Sequence, residues 1–419
     1  MDLPGSATTS DYISSRAAIK LLGVKPQTLY AYVSRGWIRS VADGGKKGRL
    51  YSREDLERVK ARSNAKSGKR ALAGAGLRWG EPLVFTAITE ITPEGPTYRG
   101  RLAVELARSQ CSVEAVAELL WSGAWFDEHL TWQLDPPRVD INRLTDALGV
   151  TPRQGILEIF SALTLAIGAA EGGDHEIKQS TTILAARRLI KALTGCFGYL
   201  SKERTYCAPA KSESVAATTV RALGIPATDD AVAALNAALI MLADHEMTPS
   251  TFCARVTASC SADLFACVLS AMCAHSGTRM RRACDKAEEL LSGSTGKTDF
   301  HRKLAAFKKS ATVLPGFNHP LYPNGDPRAA YLIDLAKKQM RQTAGSEKIY
   351  RVLDAAATEF QAYPSVETGL LTLCYALGLP TKSTGGIFVL GRAVGWIAHI
   401  LEQRLAGSML RPRARYVSL

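Results

Sequence analysis

The sequence predicts a mainly α-helical protein that carries a small, separate module at its amino terminus. Apolar residues recur every three to four positions in long segments from Tyr98 onward, and few stretches show the alternation of a β-strand. A small, polar, glycine-rich stretch, SNAKSGKRALAGAG, lies before this body and is typical of a linker. With 419 residues, 46% of them hydrophobic, the chain can bury a large core and is long enough for two or three domains.

A helix-turn-helix pattern is the first feature along the chain. Ala18, Leu21 and Leu22 fall on one face of a first helix. Gly23 then marks a turn, and Pro26 suits the first position of a second helix. The apolar positions of this second helix recur at helical spacing: Leu29, Tyr30, Val33 and Trp37.

A basic hairpin follows the two helices. Glycines are interleaved there with the basic side chains of Lys46, Lys47 and Arg49. The strand-like run RLY comes next, and Ser52 with Asp55 suits the capping box of a further helix. A basic hairpin followed by a capped helix is typical of a wing.

Most of the positive charge lies in this first segment. Residues 1–70 contain 15 Lys and Arg against 6 Asp and Glu, a net charge of +9 out of +13 for the whole chain. Such a concentration favours a nucleic-acid partner, although a protein-docking domain with a solvated basic face is the alternative. Over residues 11–62 the pattern resembles the winged helix-turn-helix domains of MerR-type regulators and excisionases.

The resemblance implies a DNA-binding domain over residues 1–67 and a linker over residues 68–74. We expect the second helix to enter the major groove and the basic hairpin to contact phosphates. The expected contacts are Lys25, Gln27, Thr28, Tyr30, Ala31 and Arg35 on or beside the recognition helix, and Lys46, Lys47 and Arg49 at the phosphates.

The most informative segment is the loop PGFNHPLYPNGDPR, residues 315–328. Its prolines and glycines exclude a continuous helix and fix the directions of His319 and Arg328. His319 can exchange a proton near neutral pH, and Arg328 can grip a carboxylate with two parallel hydrogen bonds. From spacing alone, Arg328 could equally pair with Asp326. The segment resembles the signature of citrate synthases, which runs Pro-Gly-aromatic-Gly-His and continues to Asp-Pro-Arg.

Other segments extend this resemblance over residues 75–419. They are YRGRLAVELARSQCSVEAVAELLWSG, LADHEMTPSTF, FVLGRAVGWIAHILEQ and the closing LRPRARY. The resemblance implies the two-lobed citrate synthase fold, with a large and a small helical domain and the small lobe at approximately 280–375.

The resemblance also implies a site, because citrate synthases join acetyl-CoA to oxaloacetate. It places His245 on the oxaloacetate and His319 at its carbonyl oxygen. Arg328, Arg392 and Arg411 would surround the carboxylates, and Arg411 would reach the site of a partner subunit in a homodimer. Three converging guanidinium groups would repel one another without an anionic ligand. The implied reactant is acetyl-CoA or another acyl-CoA, with no covalently bound cofactor and no metal.

The acyl-CoA side of the site departs from the family pattern. The family loop Gly-Pro-Leu-His-Gly-Gly-Ala-Asn aligns with residues 277–284, so Met280 replaces a histidine that donates a hydrogen bond to the thioester oxygen. Arg281 and Arg282 replace two glycines, and Glu367 replaces the aspartate that acts as general base. Losing one such donor typically costs about 10²- to 10³-fold in rate. His275 could substitute for the lost histidine only through a local shift.

We therefore expect a homodimeric protein that binds an oxaloacetate-like or citrate-like carboxylate, condenses poorly and binds DNA in response to the ligand. One alternative is an active citrate or 2-methylcitrate synthase, with Glu367 as base and His319 as acid. Another is a structural partner that lends Arg411 to an active paralogue.

The remaining sequence features indicate the compartment and the role of the cysteines. The amino terminus lacks the pattern of a signal peptide, and no apolar run looks long enough to span a bilayer, so we expect the cytoplasm. The nine cysteines include no CxxC pair. Four of them recur in an apolar stretch and are interpreted as helical core residues: Cys253, Cys260, Cys267 and Cys273.

Overall fold

The computed structural model divides into two compact units, Met1–Phe85 and Thr86–Leu419. The described residues are 12–34, 38, 40–42, 48–53, 55–56, 84–125, 127–135, 137, 139–149, 156–171, 175–277, 281–292, 302, 314–339 and 344–412. The expected boundaries near residues 67 and 75 lie outside these ranges. Each unit is described by itself.

The described residues of the first unit include two helices and a three-stranded antiparallel sheet in the order β1-β3-β2. Its elements are β1 (Tyr12–Ser14), α1 (Ser15–Leu22), α2 (Pro26–Ser34), β2 (Ser40–Ala42) and β3 (Arg49–Ser52). The side chain of Ser14 caps α1, and Gly23 ends it with a φ of 65°, which glycine adopts without strain.

The apolar residues of this unit form one small core. Leu29 of α2, Tyr51 of β3 and Leu56 are buried in it, together with Ala18 and Ile38. The amide of Asp55 donates to Ser52 Oγ over 3.4 Å, so the expected cap is present. Tyr30 was expected on the apolar face of α2 but is 56% exposed, because its neighbour Leu29 turns into the core instead.

The second unit is mainly helical, as predicted. It opens with a small antiparallel sheet: β4 (Thr89–Thr92), β5 (Gly95–Tyr98) and β6 (Arg101–Leu102). Helices up to the middle of the chain are α3 (Ala103–Arg108), α4 (Val113–Ser122), α5 (Ile141–Leu148), α6 (Ile156–Glu171), α7 (His175–Lys178), α8 (Thr182–Gly195), α9 (Val215–Ala222) and α10 (Asp229–Leu242). The later helices are α11 (Pro249–Ser259), α12 (Leu264–His275), α13 (Arg281–Ser292), α14 (Pro327–Gln339), α15 (Ala344–Phe360), α16 (Val366–Ala376) and α17 (Ser383–Ala406).

Helix α17 runs through the centre of the main hydrophobic core. It has 24 residues and a window with a mean hydropathy of 1.4, so by length and composition it could cross a membrane. The expectation that no apolar run reaches this length was therefore wrong. Since 89% of that window is buried inside the protein, the helix is apolar because protein surrounds it on every side.

A second hydrophobic cluster lies within the range expected for the small lobe. It joins α13, α15 and α16 through residues such as Leu290, Val352 and Leu371, and it includes Phe317 of the loop that precedes α14. The opposite side of α16 packs into the main core through Leu370 and Leu373. Helix α16 thus belongs to both clusters and links the loop to the centre of the unit.

The interpretation of the four cysteines as core residues holds only in part. Cys267 is buried and Cys253 is partly buried, whereas Cys260 and Cys273 are exposed. Cys260 lies just beyond the end of α11, and Cys273 falls on the outer face of α12. All nine cysteines are free thiols, and the described part of the chain contains no group of three potential metal ligands.

Candidate functional site

The loop that carries His319 is fixed to the start of α16. Gly316 has a φ of 79°, and its carbonyl accepts hydrogen bonds from the amide of Ser365 (2.9 Å) and the hydroxyl of Thr368 (2.6 Å). A Cβ atom at Gly316 would collide with the Thr368 side chain. Asn318, with a φ of 54°, exchanges two 2.8 Å hydrogen bonds with Tyr363. Asparagine tolerates this left-handed conformation better than most residues.

His245 meets this loop from a different element. It follows α10, is buried, and lies with its ring centroid 5.0 Å from that of His319. Its Nε2 atom is 3.1 Å from the Tyr322 hydroxyl. The ring of Tyr322 is also 5.2 Å from the ring of His319. Two histidines from separate parts of the chain therefore meet edge to face, and the ring of Tyr322 lies close to both.

Arg328 enters the same region from the first turn of α14. It is only 1% exposed, and its Nε and Nη2 atoms donate to the two carboxylate oxygens of Asp326 over 3.0 and 2.8 Å. Its guanidinium carbon lies 5.6 Å from the centroid of the Tyr322 ring. The two interpretations of Arg328 are thus compatible, because it pairs with Asp326 while lying beside the two histidines.

Arg392 approaches from α17 and is also buried. Its Nε atom donates to the carbonyl oxygen of Leu242 over 2.9 Å, three residues before His245. Burial lowers the pKa of Arg392, and the nearby carboxylate of Asp244 opposes that shift. Arg328 adds to this lowering, so the two guanidinium groups repel each other, while Asp244 and the ion pair of Arg328 with Asp326 offset part of the repulsion.

Both histidines are held in the neutral state. Burial first, and then Arg328, Arg392 and His319, push the pKa of His245 well below its usual value of 6.5. Burial and Arg328 also lower the pKa of His319, although Asp326 and Glu367 act against them. A neutral imidazole can donate one hydrogen bond to a carbonyl oxygen, while the arginines supply the positive charge.

The structure brings together four of the residues that the sequence singled out: His245, His319, Arg328 and Arg392. Glu367 lies in the first turn of α16, and its carboxylate accepts from the Ser365 hydroxyl over 2.6 Å. Arg411 is exposed beyond the end of α17. Met280 lies outside the described residues, as do the side chains of Arg281 and Arg282.

His275 packs at the end of α12, inside the second unit. Its ring is buried, stacks on Phe388 with the centroids 5.4 Å apart, and lies 6.1 Å from Trp396. It is a residue of the main core.

The expected DNA contacts are described in part. Lys25, Gln27, Tyr30 and Arg49 are exposed, and Thr28 is partly buried. Arg35, Lys46 and Lys47 lie outside the described residues, as does the side chain of Ala31.

The sequence interpretation missed two residues of the site. Tyr322 stands inside the loop motif, and Asp244 directly precedes His245. The motifs contained these residues, but nothing in their spacing showed that Tyr322 contacts His245, which is 77 positions away.

The neutral histidines generate a prediction for pH dependence. Below pH 6.5, His245 and His319 bind more protons in the unfolded chain than in the folded protein, where their pKa values are lowered. The free energy of unfolding should therefore fall as the pH is lowered from 7 to 5.5. Each such group contributes up to about 1.4 kcal/mol over one pH unit. In urea unfolding, His245→Gln should lose less free energy of unfolding over this range than the wild type. The exposed His129→Gln serves as the control, and equal losses in the wild type and His245→Gln would contradict the prediction.

The sequence of this chain is similar to those of citrate synthases and 2-methylcitrate synthases. Residues 76–413 match the family model described as citrate synthase, C-terminal domain. A citrate synthase of Mycolicibacterium smegmatis is 27% identical over 351 residues, which cover 79% of this chain and 92% of that protein. The 2-methylcitrate synthase of Shewanella oneidensis is 31% identical over 189 residues, 44% of this chain and only 50% of that protein. This match therefore spans half the length of the relative.

The similarity extends to solved structures. The citrate synthase of Thermoplasma acidophilum, in a ternary complex with carboxymethyl coenzyme A and oxaloacetate, superposes with a TM-score of 0.72 at 22% identity. The match covers 83% of this chain and 96% of that one. Its amino-acid identity is low enough that it shows the fold alone. The family match over residues 76–413 shows that the chain belongs to the citrate synthase family.

Proposed function

We propose that this protein binds a small di- or tricarboxylate of the oxaloacetate and citrate class between His245, His319, Arg328 and Arg392. The observation that carries the proposal is the meeting of two neutral histidines and two buried guanidinium groups from three separate segments of the chain. Arginine is the side chain best suited to bidentate recognition of carboxylates.

The chemistry of the pocket supports a keto acid or hydroxy acid in particular. The two arginines can each take a carboxylate, and a neutral His319 can donate to the oxygen between them. Arg411 is exposed on the segment that follows α17, which suits a residue that reaches a partner protomer. The proposed assembly is accordingly a homodimer in which Arg411 completes the neighbouring site.

The same protein is proposed to be poor at the condensation reaction. A methionine thioether at position 280 donates no hydrogen bond to a developing enolate, and His275 is held in the core. The alternative function is that of an active citrate or 2-methylcitrate synthase with Glu367 as base. The position of Glu367 beside the His319 loop favours that alternative, and so do the names of the relatives.

We further propose that residues 1–67 form a winged helix-turn-helix domain that binds DNA, and that the carboxylate regulates this binding. The support is the net charge of +9 over residues 1–70 and the exposure of Lys25, Gln27 and Tyr30 at the start of α2. A homodimer would present two such domains to a twofold site. A heterodimer with an active paralogue is a weaker alternative, and the proposed compartment is the cytoplasm.

Carboxylate binding can be measured by isothermal titration calorimetry with oxaloacetate and with citrate. We expect Arg392→Lys to raise the Kd about 10- to 100-fold, because a lysine keeps the charge but loses the bidentate geometry. The matched control is Arg188→Lys on the outside of α8, where the side chain is 51% exposed. An unchanged affinity in Arg392→Lys, or no binding by the wild type, would refute the proposed pocket.

Condensation can be followed through the release of the CoA thiol from acetyl-CoA or propionyl-CoA with oxaloacetate. Met280→His restores the donor that the family uses, and we expect it to exceed the wild-type rate by about 10²-fold or more. Met280→Leu controls for the substitution itself and should match the wild type. Wild-type turnover at about 10 s⁻¹, typical of enzymes, would establish the alternative function.

DNA binding can be tested with a mixed-sequence duplex at several salt concentrations. About four to six phosphate contacts per bound unit predict that log K falls against log salt with a slope of about −4 to −5. Arg49→Ala should make the slope shallower by about 1, whereas Arg188→Ala should leave it unchanged. If the duplex does not bind at about 50 mM salt, or if oxaloacetate does not alter its affinity, the regulatory proposal fails.

A further inference from the structure

A chain of polar groups runs from the residue before His245 to the last turns of α17. The Asp244 network consists of Asp244, His399, Arg255 and Glu402. Its links are Asp244 Oδ2 to His399 Nε2 (3.2 Å), His399 Nδ1 to Arg255 Nη1 (3.2 Å) and Arg255 Nη1 to Glu402 Oε2 (2.5 Å). Asp244, His399 and Arg255 are buried, whereas the Glu402 side chain is 19% exposed, so the contacts of His399 are formed away from water.

The partners of His399 determine which of its nitrogens carries the proton. A guanidinium group can only donate hydrogen bonds, so the Nδ1 atom that faces Arg255 must be the acceptor. The proton of a neutral His399 therefore lies on Nε2, where it is donated to Asp244. A proton on Nδ1 would set two donors against each other. Arg255 thus fixes the tautomer that allows His399 to hold Asp244.

Asp244 holds the backbone on both sides of His245. Its Oδ2 atom also accepts from the amide of Glu246 over 3.1 Å, and Glu246 has the left-handed φ of 57°. On the other side, the amide of Asp244 donates to the hydroxyl of Tyr98, which donates in turn to the carbonyl of Ile240 over 2.9 Å. Tyr98 comes from the YRG motif, which the pocket itself does not use. The backbone amides on both sides of His245, those of Asp244 and Glu246, are therefore hydrogen-bonded.

Helix α17 carries both His399 and Arg392 toward this segment. They are seven positions apart, about two helical turns, so they lie on the same face of the helix. Gly395 lies between them, and a Cβ atom there would collide with Asp244 and with the carbonyl of Ala243. The segment 242–246 consequently packs directly against α17. Burial opposes the ionisation of Asp244, yet His399 and Arg392 keep its pKa below the ordinary value.

We propose that Asp244 and His399 are positioning residues for the carboxylate pocket. They orient His245 and offset the charge of Arg392 while no ligand is bound, without touching the ligand themselves. This inference rests on the proposed carboxylate binding. The pair Asp244–His399 links His245 to Arg392, because Asp244 directly precedes His245 and His399 lies on the same helix as Arg392.

The test compares three buried substitutions on α17 by calorimetry with oxaloacetate. His399→Leu removes both hydrogen bonds and should weaken binding about 10-fold or more, as is typical when a supporting partner of a site residue is lost. His399→Gln can still donate to Asp244 and should stay within about threefold of the wild type. Ile400→Ala, at the neighbouring buried position, should lower the urea midpoint of unfolding without changing the affinity.

The outcomes of this comparison are distinct. Wild-type affinity in His399→Leu would overturn the inference, and so would a His399→Gln variant as weak as His399→Leu, since volume rather than hydrogen bonding would then matter. If His399→Leu does not fold, Asp244→Asn takes its place and should show the same loss of affinity. Binding by the wild type is tested first, so its absence would refute the proposed function rather than this inference.

A second measurement does not depend on any ligand. Long-range ¹H–¹⁵N correlation spectra of the imidazole groups should show His399 as a neutral ring protonated at Nε2 at pH 7. The assignment follows from the loss of one set of signals in His399→Gln. A ring protonated at Nδ1, or doubly protonated, would overturn the proposed network even if oxaloacetate binds tightly.

Discussion

The carboxylate of Asp326 is the group on which the whole site depends. Its two oxygens accept hydrogen bonds from the guanidinium group of Arg328, from the backbone amide of Arg328 and from the backbone amide of Val366 at the start of α16. One buried anion thus fixes the end of the loop, the first turn of α14 and the first turn of α16. Removing one partner of a buried ion pair typically costs about 3–5 kcal/mol, so the loss of Asp326 or Arg328 would destabilise this junction.

The electrostatics of the pocket follow from that arrangement. Each buried arginine has a carboxylate of the same chain beside it, Asp326 for Arg328 and Asp244 for Arg392. The histidines stay neutral because they are buried next to cations. Carboxylates of the same chain therefore offset part of the arginine charge before any ligand binds. Preorganisation of this kind lowers the cost of ordering the site on binding.

The sequence predicted the main lines of this site because the chemistry is concentrated in short motifs. His319 and Arg328 lie within one loop of prolines and glycines, and the Asp-His-Glu and Gly-Arg segments supply His245 and Arg392. Helical periodicity likewise predicted the body of the fold. These features depend on near neighbours in the chain, which is the information that spacing and composition carry.

Contacts between distant segments could not be predicted in this way. Asp244 and His399 are 155 positions apart, and only the packing of segment 242–246 against α17 brings them together. The sequence likewise indicated the repulsion between the arginines but not the carboxylate of Asp244, which offsets part of it. The apolar window of α17 was overlooked in the sequence, where Arg392 and His399 interrupt it, although both are buried in the fold.

The spacing of Arg392, Gly395 and His399 along α17 has a consequence for how this protein can change over evolutionary time. A substitution at one of the three alters only the contacts of that residue, although any side chain at Gly395 would collide with the carbonyl of Ala243. Inserting or deleting one residue before Arg392 would rotate the entire strip by about 100° around the helix axis. All three contacts with segment 242–246 would be lost at once. A change in the length of the helix before Arg392 therefore disrupts more of this packing than a substitution at any one of the three positions.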